Sequence, residues 1–108
     1  MKRIYISLPI TGQEETYEAR LNAAVVYVKA KYPEYDNIVT PKDVASMLNA
    51  GWWRYEKPEY KDYLTADIMA INGCNAILLC EGWVLSKGCK AEHAFARAIG
   101  IDILFQPM

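Results

Sequence analysis

The amino-acid sequence predicts an α/β fold, with helices on both faces of a parallel sheet of four or five strands. Strand-like and helix-like segments alternate along the 108 residues. Residues 75–80 form a near-continuous apolar run, which is typical of a strand buried on both faces of a parallel sheet. Such alternation implies right-handed crossovers, and therefore a three-layer αβα sandwich.

The first strand and helix occupy the amino-terminal third of the chain. Residues 2–7 are rich in β-branched and aromatic types, which favour a strand, and Pro9 breaks the pattern. Between about residues 14 and 31 apolar side chains recur at helical spacing. Pro33 ends this helix because proline cannot continue the hydrogen-bond ladder.

The middle of the chain predicts one more strand and two more helices. Residues 37–40 form the strand, and residues 42–50 a short helix that Gly51 ends. Another helix spans residues 58–72, with a proline suited to its first turn and Gly73 as its stop.

The last third contains the apolar strand at 75–80, a helix at 87–99 that Gly100 ends, and a strand at 101–105. The complete order is that of a flavodoxin- or Rossmann-like sheet. Ligands in such sheets bind beyond the carboxyl ends of the strands. The segments after the strands, above all residues 81–86, are therefore the predicted site.

Composition and charge exclude several classes of function. The apolar fraction of 53% indicates one globular domain, which we expect to span residues 1–108. A net charge of -1 gives no field for polymeric nucleic acid or an anionic membrane. The three cysteines form no CxxC pair, which favours a reduced cytoplasmic protein. No apolar segment approaches the roughly 20 residues that span a bilayer, so we expect a soluble protein.

Asp67 is the residue that fits its predicted helix least well. It falls on the apolar stripe of residues 58–72, formed by Tyr60, Leu64, Ile68 and Ile71. A carboxylate that faces a core is costly unless it is hydrogen-bonded or serves a site. Asp67 is therefore either a site residue or a solvated group at the edge of the stripe, paired with a lysine or arginine.

Glu92 has a similar position on the helix at 87–99. The side chains predicted to face inward on this helix are Ala91, Ala94, Phe95, Ala98 and Ile99. Glu92 would lie at the margin of that face, either in solvent or as a nucleophile or base that shares a pocket with Asp67.

Ser86 is a good N-cap for the last helix, and the same helix end could also hold an anion. Tyr5 on the first strand is by pattern more typical of a core than of a catalytic site. Cys89 and His93 lie one helical turn apart, but two ligands without a third do not predict a metal. Because the chain also has no GxGxxG or Walker loop, we expect neither a metal nor a cofactor.

Four segments, in this order and over nearly the whole chain, resemble the nucleoside 2-deoxyribosyltransferase-like superfamily, and most of all its compact DUF4406 type. They are Arg3-Ile4-Tyr5-Ile6-Ser7-x-Pro9-Ile10-Thr11-Gly12, Tyr63-Leu64-x-x-Asp67, Asn75-Ala76-Ile77-Leu78-Leu79 and Gly82-Trp83-x-x-Ser86-x-Gly88-Cys89-x-x-Glu92-x-x-x-Ala96.

The resemblance implies an enzyme that acts on the N-glycosidic bond of a nucleoside or nucleotide. It implies that Glu92 attacks the anomeric carbon and forms a covalent glycosyl-enzyme, from which a second base or water takes the sugar. By the same resemblance, Tyr5 orients Glu92, and Asp67 protonates or holds the departing base.

The resemblance also implies a class of ligand. Relatives that act on free nucleosides carry aspartate six residues before the nucleophile, whereas the branch that hydrolyses deoxynucleoside 5′-monophosphates carries serine. Ser86 occupies that position here and favours a 5′-phosphate. The implied substrate-binding residues are Ser7, Pro9, Thr11, Gly12, Trp83, Ser86 and Gly88.

One departure leaves a second hypothesis open. Relatives usually have glycine after the serine of the first segment, and this chain has Leu8, which would narrow the pocket. The alternative is a protein of phage or mobile-element origin that binds a nucleotide or related metabolite without cleaving it. Relatives form dimers or larger rings, so a homodimer or higher oligomer is expected. The aromatic cluster Trp52, Trp53 and Tyr55 would suit its interface, a lid over the core or stacking on a base.

Overall fold

A computed structural model describes residues 1–48 and 59–107 of the chain. These residues form a four-stranded parallel sheet of order β2-β1-β3-β4. The strands are β1 (Arg3–Ser7), β2 (Asn37–Val39), β3 (Ala76–Leu79) and β4 (Asp102–Phe105). The helices are α1 (Tyr17–Lys31), α2 (Pro41–Met47), α3 (Tyr60–Asn72) and α4 (Lys87–Ile99).

The helices form two layers, one on each side of the sheet. Alternation along β1 sends Ile4 and Ile6 toward α1, where they join a core that includes Leu21, Ala24 and Val28. On the other side Tyr5 shares a second core with residues of α2, α3 and α4. The predicted three-layer αβα sandwich is confirmed.

The local sequence accounts for the boundaries of these elements. The side chain of Thr40 caps α2 by accepting a hydrogen bond from the Asp43 N–H at 3.1 Å. Gly100 ends α4 in the left-handed conformation, with a φ of 80°, which glycine adopts without strain. The helix predicted from residue 14 begins instead with a short 3₁₀ turn, Glu14–Thr16, before α1.

Two predicted helix faces are wrong in detail. The residues of α4 that are buried are Cys89, Glu92 and Ala96, whereas Ala94 and Ala98 are exposed. On α3, Tyr60 is 59% exposed and does not belong to the core stripe. The cause in α4 is the burial of a carboxylate, which a pattern of apolar residues cannot indicate.

The aromatic cluster Trp52, Trp53 and Tyr55 lies outside the described residues, as does Pro58. Within residues 1–48 and 59–107, no helix combines the length and the apolar character needed to cross a bilayer.

Candidate active site

A crevice of about 210 Å³ opens at the carboxyl edge of the sheet, between the loop after β1 and the facing helices α3 and α4. Half of its lining residues are polar or glycine, namely Thr11, Asp67, Ser86, Gly88, Cys89 and Glu92. The other half are apolar or aromatic, namely Leu8, Ile10, Pro41, Tyr60, Tyr63 and Leu64. The edge that topology predicts for a ligand is therefore the edge that carries the crevice.

Glu92 is held at the floor of the crevice by two hydroxyl groups of β1. The Tyr5 hydroxyl donates to Oε2 of Glu92 at 3.1 Å, and the Ser7 hydroxyl donates to Oε1 at 2.6 Å. Tyr5 and Ser7 are fully buried and Glu92 is 5% exposed. Each carboxylate oxygen thus has a donor, which offsets the cost of burying the charge and fixes its orientation.

Asp67 approaches the same carboxylate from α3, and it interacts with both Tyr5 and Glu92. Burial, followed by the negative charge of Glu92, raises the pKa of Asp67 to about 8. Burial also raises the pKa of Glu92, but hydrogen bonds from Ser7, Tyr5 and Asp67 oppose that effect. At neutral pH Asp67 therefore carries a proton, and that proton, together with the Ser7 and Tyr5 hydroxyls, favours the ionised form of Glu92.

The amino terminus of α4 lies at the mouth of the crevice. Ser86 caps the helix, its hydroxyl accepting a hydrogen bond from the Cys89 N–H at 3.2 Å. The N–H groups of Lys87 and Gly88 belong to the first turn, where helix geometry supplies no intrahelical acceptor. This end of α4 adjoins a second, outer groove of about 420 Å³, lined in part by Pro9, Thr11 and Lys87.

Not every residue predicted to bind substrate lies at the crevice. Gly12 lines a separate surface hollow together with Glu14 and Glu15. Trp83 packs against His93, with ring centroids 4.6 Å apart, and against Phe105 at 6.1 Å. Neither residue is brought together with Glu92, whereas Pro9, Thr11, Ser86 and Gly88 line the crevice or the outer groove beside it.

Leu8 lines the crevice without filling it. The side chain is 5% exposed and packs into the core beneath α1. The crevice retains about 210 Å³ and adjoins the outer groove, since both are lined by Thr11, Tyr60, Ser86 and Gly88. Ligand sites typically occupy about 300–1,000 Å³, so a ligand of ordinary size would extend over both spaces.

Sequence reasoning missed Tyr60, Tyr63 and Pro41 as crevice residues. All three lie in the first turn of α2, which follows β2, or of α3, which leads into β3; in a parallel α/β sheet both kinds of helix begin at the carboxyl edge. The predicted start of each helix could therefore have identified these crevice residues. The helical spacing of apolar residues instead assigned Tyr60 to the core.

The thiol of Cys89 also faces the crevice, but burial raises its pKa, which hydrogen bonds from Ser7 and Ser86 only partly counteract. It is therefore a thiol at neutral pH and a poor nucleophile. In the described ranges 1–48 and 59–107, no three His, Cys, Asp or Glu side chains form a group that could hold a metal ion.

Two of three comparisons with known proteins give a match. The sequence model of a family described as a domain of unknown function, DUF4406, matches residues 2–105. A search of curated proteins gives no match. Among solved structures, the chain is similar to a 2-desoxiribosyltransferase from Leishmania mexicana, with a TM-score of 0.66 and 22% sequence identity.

The structural match covers 97% of this chain and 63% of the Leishmania mexicana protein. At that identity the match establishes a shared fold. With the family match over nearly its whole length, the chain belongs to the DUF4406 family and has a nucleoside 2-deoxyribosyltransferase-like fold.

Proposed function

We propose that this protein breaks the N-glycosidic bond of a nucleoside or nucleotide through a glycosyl-enzyme formed on Glu92. The observation that carries the proposal is a pair of neighbouring carboxyl groups in different environments. Both oxygens of Glu92 accept hydrogen bonds from Tyr5 and Ser7, which favour its ionised form, while the pKa of Asp67 beside it is raised to about 8. Such a pair supplies a nucleophile and an acid in one crevice.

In the first half of the reaction, a carboxylate oxygen of Glu92 attacks the anomeric carbon and the bond from that carbon to the base nitrogen breaks. The base nitrogen receives the bonding electrons and takes the proton of Asp67. The products are a glycosyl ester on Glu92, a neutral free base and an ionised Asp67. The negative charge has thereby moved from Glu92 to Asp67, which can now act as a base.

In the second half, the Asp67 carboxylate removes a proton from water, and the hydroxide oxygen displaces Glu92 from the anomeric carbon. A second base can replace water by giving its own N–H proton to Asp67. Both routes restore an ionised Glu92 and a protonated Asp67. The first route makes the protein a hydrolase and the second makes it a deoxyribosyltransferase, the activity in the name of the Leishmania mexicana protein.

A deoxynucleoside 5′-monophosphate is the ligand that the polar end of the site favours. The first-turn N–H groups of α4, the Ser86 hydroxyl and Thr11 surround the place where the crevice and the outer groove join. A helix amino terminus favours negative charge, and Ser86 adds a hydroxyl without a competing carboxylate. Pro9, Gly12 and Trp83 contribute by shaping the loops on either side.

The test is incubation of the protein at high concentration with a panel of deoxynucleoside 5′-monophosphates and nucleosides, with chromatography of the free base. We expect slow base release that Glu92→Gln reduces at least about a thousandfold, because the variant keeps the shape and loses the nucleophile. The matched control is Glu34→Gln, which changes an exposed glutamate outside the crevice. Absence of base release from every ligand would refute the enzyme.

The alternative is a nucleotide-binding protein that does not cleave its ligand, and the position of Leu8 in the crevice wall supports it. A leucine there limits how closely backbone can approach a sugar. Calorimetric binding of a nucleotide that remains intact after long incubation would favour this alternative.

Sedimentation of the protein alone tests the expected homodimer or higher oligomer.

A further inference from the structure

Tyr60 stands between the two spaces of the site. It lies in the first turn of α3, is 59% exposed, and lines both the crevice of Asp67 and Glu92 and the outer groove of Lys87. A ligand that extends from the crevice into the outer groove would contact Tyr60 at this junction. A base that only stacked on the Tyr60 ring would occupy one of these two spaces.

The hydroxyl of Tyr60 is directed at the amino terminus of α4. A side-chain carbon added to Gly88 would lie 3.1 Å from the Tyr60 hydroxyl oxygen and 4.0 Å from the Ser86 hydroxyl oxygen. The two hydroxyls therefore border the same space above Gly88. A side chain at position 88 would be in close contact with the Tyr60 hydroxyl, which would have to move by a few tenths of an ångström.

No residue of the described ranges, 1–48 and 59–107, forms a hydrogen bond with the Tyr60 hydroxyl. Desolvation raises the pKa of Tyr60, and the charges of Glu92, Cys89 and Asp67 add to the effect. The group therefore remains a protonated donor over the whole neutral range. A donor so placed matches a ligand oxygen that carries negative charge.

The spacing along α4 indicates which part of a nucleotide reaches Tyr60. Gly88 precedes Glu92 by four residues, or roughly 6 Å of helix. With the anomeric carbon against Glu92, the pentose and its 5′ ester oxygen span that interval, and the phosphate arrives above Gly88. Accordingly, resting on the function proposed above, we infer that Tyr60 determines specificity by donating its hydroxyl to the 5′-phosphate of a bound nucleotide.

The experiment compares Tyr60→Phe with the unmodified protein by calorimetric titration of deoxynucleoside 5′-monophosphates and of the matching nucleosides. Tyr60→Phe weakens nucleotide binding at least about tenfold, the value of a hydrogen bond to a charged acceptor, and leaves nucleoside binding within about twofold. Tyr27→Phe, on α1 across the sheet, is the matched control and changes neither affinity.

Gly88→Ala supplies an independent variant. The added methyl group enters the space above Gly88 that the Tyr60 hydroxyl borders and the phosphate would occupy, so this substitution also weakens nucleotide binding. Melting temperatures check that each variant is folded.

Equal nucleotide affinity of Tyr60→Phe and the unmodified protein overturns the inference while the proposed function stands. So does equal affinity of the unmodified protein for nucleotides and nucleosides, provided that base is released. Absence of both binding and base release overturns the inference together with the proposed function.

Discussion

The Ser7 hydroxyl lies 2.6 Å from Oε1 of Glu92, although 85 residues separate the two along the chain. Tyr5, the preceding residue on the same face of β1, donates to the other oxygen of that carboxylate. One strand thus orients Glu92 through two successive side chains. Because each of its oxygens accepts a hydrogen bond, the buried Glu92 carboxylate is held in one orientation.

Loss of the Ser7 hydroxyl should therefore weaken the nucleophile. The hydrogen bond from Ser7 opposes the rise in the pKa of Glu92, so Ser7→Ala should raise that pKa further. We expect base release to slow about 10- to 100-fold at neutral pH, as for a lost hydrogen bond to a charged group. The acid limb of the pH–rate profile should move to higher pH. An acid limb at the same pH would show that the Ser7 hydroxyl does not influence the ionisation of Glu92.

The element order followed from sequence because each boundary is local. The apolar strand at 75–80, the prolines and the helix-ending Gly100 act on their nearest neighbours, and the structure confirms the elements they predict within the described ranges. The candidate site was only partly accessible to the same reasoning. Glu92 looked marginal because Tyr5 and Ser7, which compensate its burial, come from a distant strand.

Tyr60 was misassigned in the opposite direction: Glu92 looked marginal and is buried, whereas Tyr60 was predicted to be buried and is 59% exposed. Its apolar ring and its helical spacing with Leu64 predicted a core residue, yet the start of α3 lies beyond the strand ends, where an aromatic side chain lines the crevice. A tyrosine has an apolar ring and a polar hydroxyl, so it suits both a core and a crevice wall, and the periodicity of apolar residues cannot distinguish these two positions. The position of a helix start relative to the sheet edge decides the outcome.

The proposed reaction should have a bell-shaped dependence on pH. Glu92 must be ionised and Asp67 protonated, so the rate falls on the acid side as Glu92 gains a proton and on the alkaline side as Asp67 loses one. The alkaline limb should lie near pH 8, from the pKa of about 8 for Asp67. Because the two groups interact, both limbs belong to the pair. The profile of kcat/KM between pH 4 and 10 measures them, and a flat profile above pH 7 would contradict the role of Asp67.

Asp67→Asn should stabilise the protein at alkaline pH. The pKa of Asp67 is raised from 3.8 to about 8 in the folded chain, so its contribution is fully favourable below about pH 4 and is lost as pH rises to 8. Asparagine removes this loss. Four pKa units of about 1.4 kcal/mol each would give roughly 6 kcal/mol, and because solvent in the crevice screens the charge we expect a gain of about 2 kcal/mol at pH 8 over that at pH 4.

Urea unfolding at pH 4 and pH 8 measures the difference for Asp67→Asn. The matched control is Asp36→Asn, which changes an exposed carboxylate far from Glu92. A parallel loss of stability with pH in Asp67→Asn and the unmodified protein would show that Asp67 is not the titrating group.

Ser86→Asp should reverse the preference for phosphorylated ligands. Aspartate caps a helix as well as serine does, so α4 and the melting temperature should be preserved. A carboxylate about 4 Å from a phosphate charge costs about 4 kcal/mol at an effective dielectric constant of 20. We expect kcat/KM for nucleotides to fall about 100-fold or more, and that for nucleosides to change little, in parallel assays of base release. Ser86→Ala, which removes the hydroxyl without adding charge, should lower kcat/KM for nucleotides by a smaller factor and leave kcat/KM for nucleosides unchanged. If Ser86→Asp treats nucleotides and nucleosides as the unmodified protein does, the phosphate does not lie at the amino terminus of α4.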